Sequence, residues 1–299
     1  MKLFALGTAF ILVFFSSLFA LDNIYTTSTP DILGNMDMRL ELTPDFGYFT
    51  GYFDSDGKRE DYGTDTLSMQ FYLPLKARLG IRDIAEAGIV LPFVMNKEKL
   101  GQNSLTGSGI SDVWLYGKYR AMVDPVVSFH LAFKLPTGND EPEEDALPTG
   151  EGQVDLDLGF GLRYKPDVPG PKPDVELIAG YRLKLSKKMQ YSYMGVTNEY
   201  DYNPGDIISY KFRGGYELEG GTNFGVLFTG EMGISDDKWD DNTREDSRKS
   251  IAKMGVSAKA PITSNIALDG GLLFDMSGKN REAGVEIFIA GSIGFNLTK

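Results

Sequence analysis

Ser128 and His130 are the residues of this sequence whose types and spacing most resemble a catalytic pair. A serine nucleophile needs a base within hydrogen-bond reach, and a third group must orient that base. Residues two apart on a strand share a face but usually lie too far apart to meet this requirement. His130 is the only histidine and cysteine is absent, which excludes a cysteine nucleophile and a thiolate zinc site. We therefore expect no enzyme, no metal and no cofactor.

Charged side chains recur at alternate positions of many segments, and acidic and basic residues are equally numerous there. The wall of an anion pore would need a basic excess, and the wall of a cation pore an acidic one. Neither excess occurs, so we interpret these residues as salt bridges across an enclosed and nearly neutral lumen. The predicted network consists of Asp112, Lys118 and Arg120, their expected partners Asp155, Asp157 and Arg163 two strands away, and Arg182.

Aromatic side chains on the same polar faces offer a different chemistry, which is the stacking of a flat apolar solute. All but Tyr72 are expected at one height in the outer half of a barrel, where they could form a ring. Packing around an inward-folded loop is the alternative. The predicted solute path consists of Phe49, Phe53, Tyr72, Trp114, Tyr116 and Phe288.

The elements that must position these residues are twelve segments that alternate apolar and polar residues with a period of two. No charged side chain falls on their apolar faces, and a charge at the bilayer midplane costs a barrel about 2–4 kcal/mol. Short turns alternate with long polar loops, as in outer-membrane barrels. The pattern predicts an all-β fold, a transmembrane antiparallel up-and-down β-barrel of about 12 strands. A soluble barrel or β-sandwich of twelve such strands would enclose too wide a core to fill.

The N-terminus predicts export. Lys2 precedes an apolar run, and Ala20 offers a small residue for cleavage, so residues 1–20 are predicted to be a signal peptide. An uncleaved membrane anchor is the alternative, but the run is short for a spanning helix. Residues 21–35 are then expected to be a short periplasmic segment and residues 36–299 the barrel, located in the outer membrane.

The charge of the chain limits its partners. A net charge of -12 argues against nucleic acid, which is bound by basic surfaces. Acidic runs at 54–65, 140–145 and 236–246 fall in predicted loops, where they form a solvated surface or bind divalent cations that bridge to lipopolysaccharide. The expected partners are outer-membrane lipid, lipopolysaccharide and a small-molecule solute.

Three patches give a more specific signal than periodicity: Ser108–Arg120, Lys134–Gly138 and Gly150–Tyr164. Their order and spacing resemble the family of outer-membrane transporters named for the MetA pathway of phenol degradation. The resemblance covers these motifs and, in architecture, the whole mature chain. It implies an outer-membrane barrel that passes small, often aromatic or hydrophobic molecules.

The function expected from the sequence is therefore passive passage of small uncharged, aromatic or hydrophobic solutes through an outer-membrane channel. The first alternative is a structural or adhesive barrel whose lumen is plugged by its own salt bridges. A membrane lipase that uses Ser128 and His130 is the second alternative. A lipase site must meet acyl chains from outside, whereas both residues are expected on the lumen face.

Overall fold

The computed structural model describes residues 29–140, 146–193 and 196–297, and its regular structure consists of antiparallel β-strands. The predicted signal peptide, residues 1–20, lies outside the described residues. No helix among the described residues is long and apolar enough to cross a membrane. The strands are β1 (Asp37–Leu42), β2 (Asp45–Phe53), β3 (Arg59–Asp61), β4 (Thr66–Ile81), β5 (Ala85–Leu100), β6 (Asn103–Ile110), β7 (Val113–Val123), β8 (Val126–Leu135), β9 (Asp155–Tyr164), β10 (Lys172–Lys184), β11 (Lys187–Tyr193), β12 (Val196–Asn203), β13 (Ile207–Glu217), β14 (Asn223–Gly233), β15 (Lys238–Trp239), β16 (Asn242–Thr243), β17 (Ser250–Pro261), β18 (Ile266–Lys279) and β19 (Arg281–Asn296).

Pairing between the first and last strands closes the barrel. β1 and β2 together form its first strand, and both pair with β19, so that Met38 faces Phe295 and Phe46 faces Ile287. The remaining barrel strands among the described residues are β4, β5, β7, β8, β9, β10, β13, β14, β17 and β18, each antiparallel to its neighbours. The predicted twelve-stranded up-and-down barrel is confirmed.

Alternate side chains of each barrel strand point outward and inward, as the period of two requires. In β8 the neighbours Ser128 and Phe129 are 2% and 54% exposed, respectively. Outward residues throughout the barrel are apolar and exposed, whereas the inward charged residues are mostly buried. A barrel of this strand number is wide, so burial of its inner face requires additional chain inside the lumen.

The two ends of the barrel differ. The first and last described residues and the short turns, such as residues 82–84 and 124–125, lie at one end of the barrel. In outer-membrane barrels the end with short turns is the periplasmic end. The opposite, extracellular end has longer connections, including the β5–β6 hairpin and a small sheet of β11, β12, β15 and β16. Residues 29–35, the described part of the segment predicted to be periplasmic, enter the periplasmic mouth of the barrel.

Candidate functional site

An N-terminal strap, residues 29–36, occupies the periplasmic mouth. The backbone N–H of Leu33 donates to Oε2 of the buried Glu86 at 3.2 Å. The Lys118 ammonium donates to the carbonyl of Asp31 at 3.1 Å and forms an ion pair with Glu86 at 3.1 Å. Lys118, predicted to belong to a charge network between wall strands, therefore binds the strap to the wall.

Arg163 is the second attachment of the strap. Its guanidinium forms an ion pair with the Asp31 carboxylate, and it also binds Asp174 at 2.7 Å and Glu176 at 3.6 Å. Asp174 is fully buried, so this arginine satisfies a charge inside the wall while it holds the strap. Breaking such a buried pair is costly because one charge remains uncompensated.

An inward loop, residues 146–154, fills the lumen from the extracellular side. Leu147 is 2% exposed, and the following residues up to Glu151 are buried. The Glu151 carboxylate forms ion pairs with Lys134 of β8 and with Lys184 of β10, the latter at 3.0 Å. One loop carboxylate thus binds two wall lysines, and the loop is anchored on two strands.

Asp112 joins the three sequence patches into one structural unit. Its Oδ1 accepts a hydrogen bond from the Gly138 N–H at 3.0 Å, and its Oδ2 accepts one from the Glu151 N–H at 2.7 Å. Gly138 and Gly150 pack against each other beside this carboxylate. The patches therefore build the hinge of the inward loop.

A repeated Leu-Pro-Thr-Gly sequence explains the shape of this hinge, and the sequence analysis missed the second copy. Thr137 in the first copy donates to the carbonyl of Ser111 at 2.9 Å, and Thr149 in the second donates to the carbonyl of Ile110 at 3.0 Å. These carbonyls belong to the last residue of β6 and to the first residue of the break between β6 and β7. In the first copy Pro136 cannot donate to a strand ladder, so the chain leaves the sheet at the end of β8.

Replacing Gly150 by alanine should lower the stability of the folded barrel by about 1–3 kcal/mol, the usual cost of overpacking. An added Cβ would lie 2.5 Å from Oδ1 of Asp112 and 2.7 Å from Cα of Gly138. The temperature at which the folded band disappears in heat-modifiability electrophoresis measures this loss. Gly63→Ala is the control, because its Cβ meets no atom within 4 Å. An equal midpoint for the two variants would contradict the tight packing.

A layer of charged and aromatic side chains lies between the strap and the inward loop. Trp114 is fully buried, and the Arg182 guanidinium lies 4.9 Å from the centre of its ring, a cation–π distance. Arg182 also binds Asp157 and Glu231, each at 3.4 Å, on opposite sides. Nε2 of His130 lies 3.1 Å from Oδ1 of Asp157. This middle layer joins both sides of the lumen and places His130 inside the barrel.

The partners of the predicted charge network differ from those expected. Asp155 forms an ion pair with Lys134 at 2.7 Å, and Arg120 donates to the carbonyl of Asp83 in a periplasmic turn. Asp112 binds backbone N–H groups, and Lys118 binds Glu86 and the strap. Strands of a barrel are tilted and staggered, so equal positions along two strands do not lie at equal heights.

The aromatic residues of the predicted solute path are distributed over several clusters. Trp114 and Tyr116 share one cluster, whereas Phe53, Tyr72 and Phe288 each belong to a different one. Several of these rings pack against wall glycines, as Phe49 does against Gly47, Tyr116 against Gly88 and Phe288 against Gly271. The contacts are Val90 and Ala132 for Trp114, Ile251 and Ala283 for Phe53, Val94 for Tyr72, Leu227 and Leu273 for Phe288, and Gly47 for Phe49.

An outer cavity of about 640 Å³ opens at the extracellular end. Phe53 and Tyr62 line it on one side, and Tyr202 and Trp239 line it on another. The rings of Tyr202 and Trp239 lie 5.1 Å apart. Burial and the neighbouring Glu282 raise the pKa of the Tyr62 hydroxyl, which donates to Glu282 at 3.0 Å. Of the predicted path only Phe53 reaches this cavity.

Three other aromatic residues of the outer cavity, Tyr62, Tyr202 and Trp239, were missed because they lie in predicted loops. Tyr202 belongs to β12 and Trp239 to β15, and these strands pair above the barrel. No local pattern predicts that pairing from the sequence, although an alternating Tyr-rich segment at 200–202 indicates a strand. A much smaller cavity of about 50 Å³ lies beside the strap, near Tyr116 and His130.

Similar folds among solved structures are outer-membrane barrels. The COG4313 outer membrane channel from Pseudomonas putida F1 superposes with a TM-score of 0.71 at 15% identity, over 89% of this chain and 97% of that chain. The translocator domain of the autotransporter NalP from Neisseria meningitidis has a TM-score of 0.50 at 11% identity, over 89% and 90%. The transport unit of the autotransporter AIDA-I from Escherichia coli has a TM-score of 0.50 at 14% identity, over 96% of both chains.

No curated protein sequence matches this chain significantly. The family described as the MetA-pathway of phenol degradation matches residues 48–290, which include all three sequence patches and every barrel strand from β4 to β18. The resemblance seen in the patches is thereby confirmed over most of the chain, and this protein belongs to the MetA-pathway of phenol degradation family.

Proposed function

We propose that this protein is an outer-membrane channel for the passive passage of small aromatic or hydrophobic solutes. The observation that supports this most directly is the outer cavity, whose aromatic walls are open to the extracellular side. Below it, the lumen charges bind one another, so a charged solute would have to break buried pairs. An apolar solute would not pay that cost.

Export by the predicted signal peptide and contact with lipopolysaccharide belong to the same proposal. The exposed apolar belt supports a bilayer environment, because lipid is the solvent that tolerates such a surface. The acidic extracellular segments support divalent cation bridging to anionic lipid headgroups.

A plugged structural barrel is the second candidate, favoured by the strap and the inward loop within the lumen. A lipase is less well supported, because Ser128 and His130 lie inside the barrel, away from acyl chains. Single-channel recording separates the channel from the plugged structural barrel. A barrel that carries no current above the lipid baseline, even in variants that release the strap and the inward loop, is structural.

Liposome swelling with phenyl glucoside and methyl glucoside tests the channel proposal. Both solutes are neutral and cross lipid slowly, and a pore that sieves by size alone would favour the smaller methyl glucoside. We expect the opposite order, because the phenyl ring gains contact with the aromatic walls of the outer cavity. Faster entry of methyl glucoside would contradict the proposal.

Replacing Trp239 by alanine should reduce phenyl glucoside entry about threefold to tenfold, since an aromatic contact contributes about 0.5–1.5 kcal/mol. Methyl glucoside entry should change little. Phe129→Ala is the matched control, because Phe129 faces lipid. Equal losses in the two variants would remove Trp239 from the path.

A further inference from the structure

The inner faces of three neighbouring strands lead from the outer cavity toward the periplasmic end of the lumen. Ser68 of β4 lines the cavity, and Gln70 is the next residue of that strand to point inward. Gln70 lies opposite Asn96 of β5 in the ladder between these strands. Asp45 of β2 lies one inward position farther down, opposite Tyr72 of β4. We call the three inward side chains Asp45, Gln70 and Asn96 the acceptor track.

The acceptor track contains buried oxygen atoms that no hydrogen-bond donor among the described residues reaches. They are Oδ1 of Asp45, Oε1 of Gln70 and Oδ1 of Asn96. Asp45 and Gln70 are 7% exposed, and Asn96 is 5% exposed. A buried acceptor without a donor destabilises a fold, so three such atoms on neighbouring strands require a physical reason. A ligand that brings its own donor provides one.

The chemistry of the acceptor track favours a neutral donor. Nδ2 of Asn96 donates to the carbonyl of Pro148 at 3.2 Å, which fixes the amide and leaves Oδ1 as an acceptor. The Asp45 carboxylate can only accept, and it would repel an anion. Lys253 of β17 acts electrostatically on Asp45 and forms an ion pair with Glu286 of β19. Since Lys253 would repel a cation, a neutral hydroxyl or N–H group suits the track best.

Apolar side chains lie beside these acceptors. The ring of Phe49 packs over Gly47, where an added Cβ would lie 2.8 Å from the end of the ring. Gly47 is the neighbour of Gln70 in the ladder between β2 and β4. Tyr72 and Val94 form a small buried cluster one inward position farther down. Apolar surface with a few convergent polar groups is the usual composition of a site for a small molecule.

The inward loop lies against the acceptor track. The Leu147 N–H donates to the carbonyl of Thr106 at 2.9 Å. Gly107, the residue after Thr106, lies opposite Asn96 in the ladder between β5 and β6. Together with the hydrogen bond from Asn96 to Pro148, this contact holds the loop over the acceptors. Release of the loop therefore exposes the track to a solute that enters from the outer cavity.

We infer that the acceptor track binds the hydroxyl or N–H group of neutral aromatic solutes as they pass below the outer cavity. This inference rests on the proposed function and narrows its solute class to molecules that donate a hydrogen bond. Carboxylates outnumber cations, six against four, among the described residues that line the outer cavity. An anionic solute is thus disfavoured at the entrance of the path, whereas a neutral donor is not.

Liposome swelling with 4-hydroxyphenyl glucoside and 4-methylphenyl glucoside tests the inference. Both solutes are neutral and carry the same sugar, and they differ only in a hydroxyl and a methyl group of similar size. Apolar contact alone would favour the methyl compound. We expect the hydroxyl compound to enter about twofold to tenfold faster, which corresponds to one hydrogen bond. Equal rates, or faster entry of the methyl compound, would overturn the inference.

The two proposals fail in different ways in this assay. If phenyl glucoside still enters faster than methyl glucoside while the hydroxyl and methyl compounds enter equally, the acceptor track alone is contradicted. If phenyl glucoside also loses its advantage over methyl glucoside, the proposed function is contradicted as well.

Gln70→Met locates the site, because methionine has a similar shape and only a weak acceptor. This variant should slow the hydroxyl compound until the two solutes enter at similar rates. Its folded band should persist to at least the wild-type temperature in heat-modifiability electrophoresis, since the lost acceptor has no donor among the described residues. Ser209→Ala is the control, because Ser209 is buried on β13, six strands from β4, and its Oγ also lacks a described partner. A hydroxyl preference that survives Gln70→Met, or a lower melting temperature that reveals a structural role, would contradict the inference.

Discussion

Replacing Asp112 by alanine should raise the rate at which glutamyl endopeptidase cleaves the inward loop after Glu151 by about a hundredfold. The Asp112 carboxylate accepts two backbone hydrogen bonds, from Gly138 and from Glu151, and anchors the loop within the lumen. Hydrogen bonds to a charged group contribute about 1.5–3 kcal/mol each, so their loss shifts the loop toward its released state by at least about 3 kcal/mol. Cleavage follows the population of that open state when opening is fast.

Mass spectrometry of the products distinguishes this site from exposed glutamates such as Glu219 and Glu245. Their cleavage should not change, which provides an internal reference. Asp167→Asn is the external control, because Asp167 lies in a periplasmic turn and binds only the exposed Lys172 among the contacts seen. Protection of Glu151 in Asp112→Ala would mean that the ion pairs with Lys134 and Lys184 suffice to hold the loop.

Replacing Gly80 by valine should expel the strap from the periplasmic mouth. A Cβ at Gly80 would overlap the carbonyl oxygen of Gly34 and lie 2.7 Å from that of Leu33, and both are backbone atoms. Gly80 lies in β4, which is hydrogen-bonded to β1 and to β5. The strap is therefore the partner that must move. This substitution removes no charged group from the lumen. Its effect therefore reports release of the strap and not loss of an ion pair.

Conductance in planar bilayers measures the effect of releasing the strap. The strap and the inward loop close the same path one after the other, so they act as two resistances in series. Resistances in series add, so Gly80→Val alone should raise the current only modestly while the inward loop remains. The double variant Gly80→Val with Asp112→Ala should raise the current by more than the sum of the increases that the two single substitutions cause. Gly117→Val is the control, because that outward glycine has its nearest neighbour at 3.8 Å.

A double variant whose current equals that of Asp112→Ala would show that the strap does not close the path. A double variant that stays at the lipid baseline would favour the plugged structural barrel.

The strand pattern made the barrel predictable. Alternation in a segment such as β8 is a local property, since adjacent Ser128 and Phe129 must face opposite sides whatever the rest of the chain does. The family patches were also recognised, but their role was not. Asp112, Gly138 and Gly150 meet only because the inward loop returns to the β6–β7 break, and the pattern of the strands does not predict that return.

The partners inside the lumen could not be predicted in the same way. Lys118 was expected to pair with a residue two strands away, yet it binds Glu86 on the neighbouring strand and the strap from the N-terminus. The stagger of the strands determines which inward residues share a height, and long-range contacts with the strap then compete for them.

The sequence by itself determined which side of each strand touches lipid, because the cost of a charge in the bilayer forces every strand to separate its apolar and polar residues. It also determined the strand number, the alternation of short and long connections, and the family. Only the tertiary structure decided what fills the lumen and where a solute could bind. A strap, an inward loop and an extracellular sheet with Trp239 come together there through contacts between distant segments, and their packing depends on barrel stagger that no local pattern specifies.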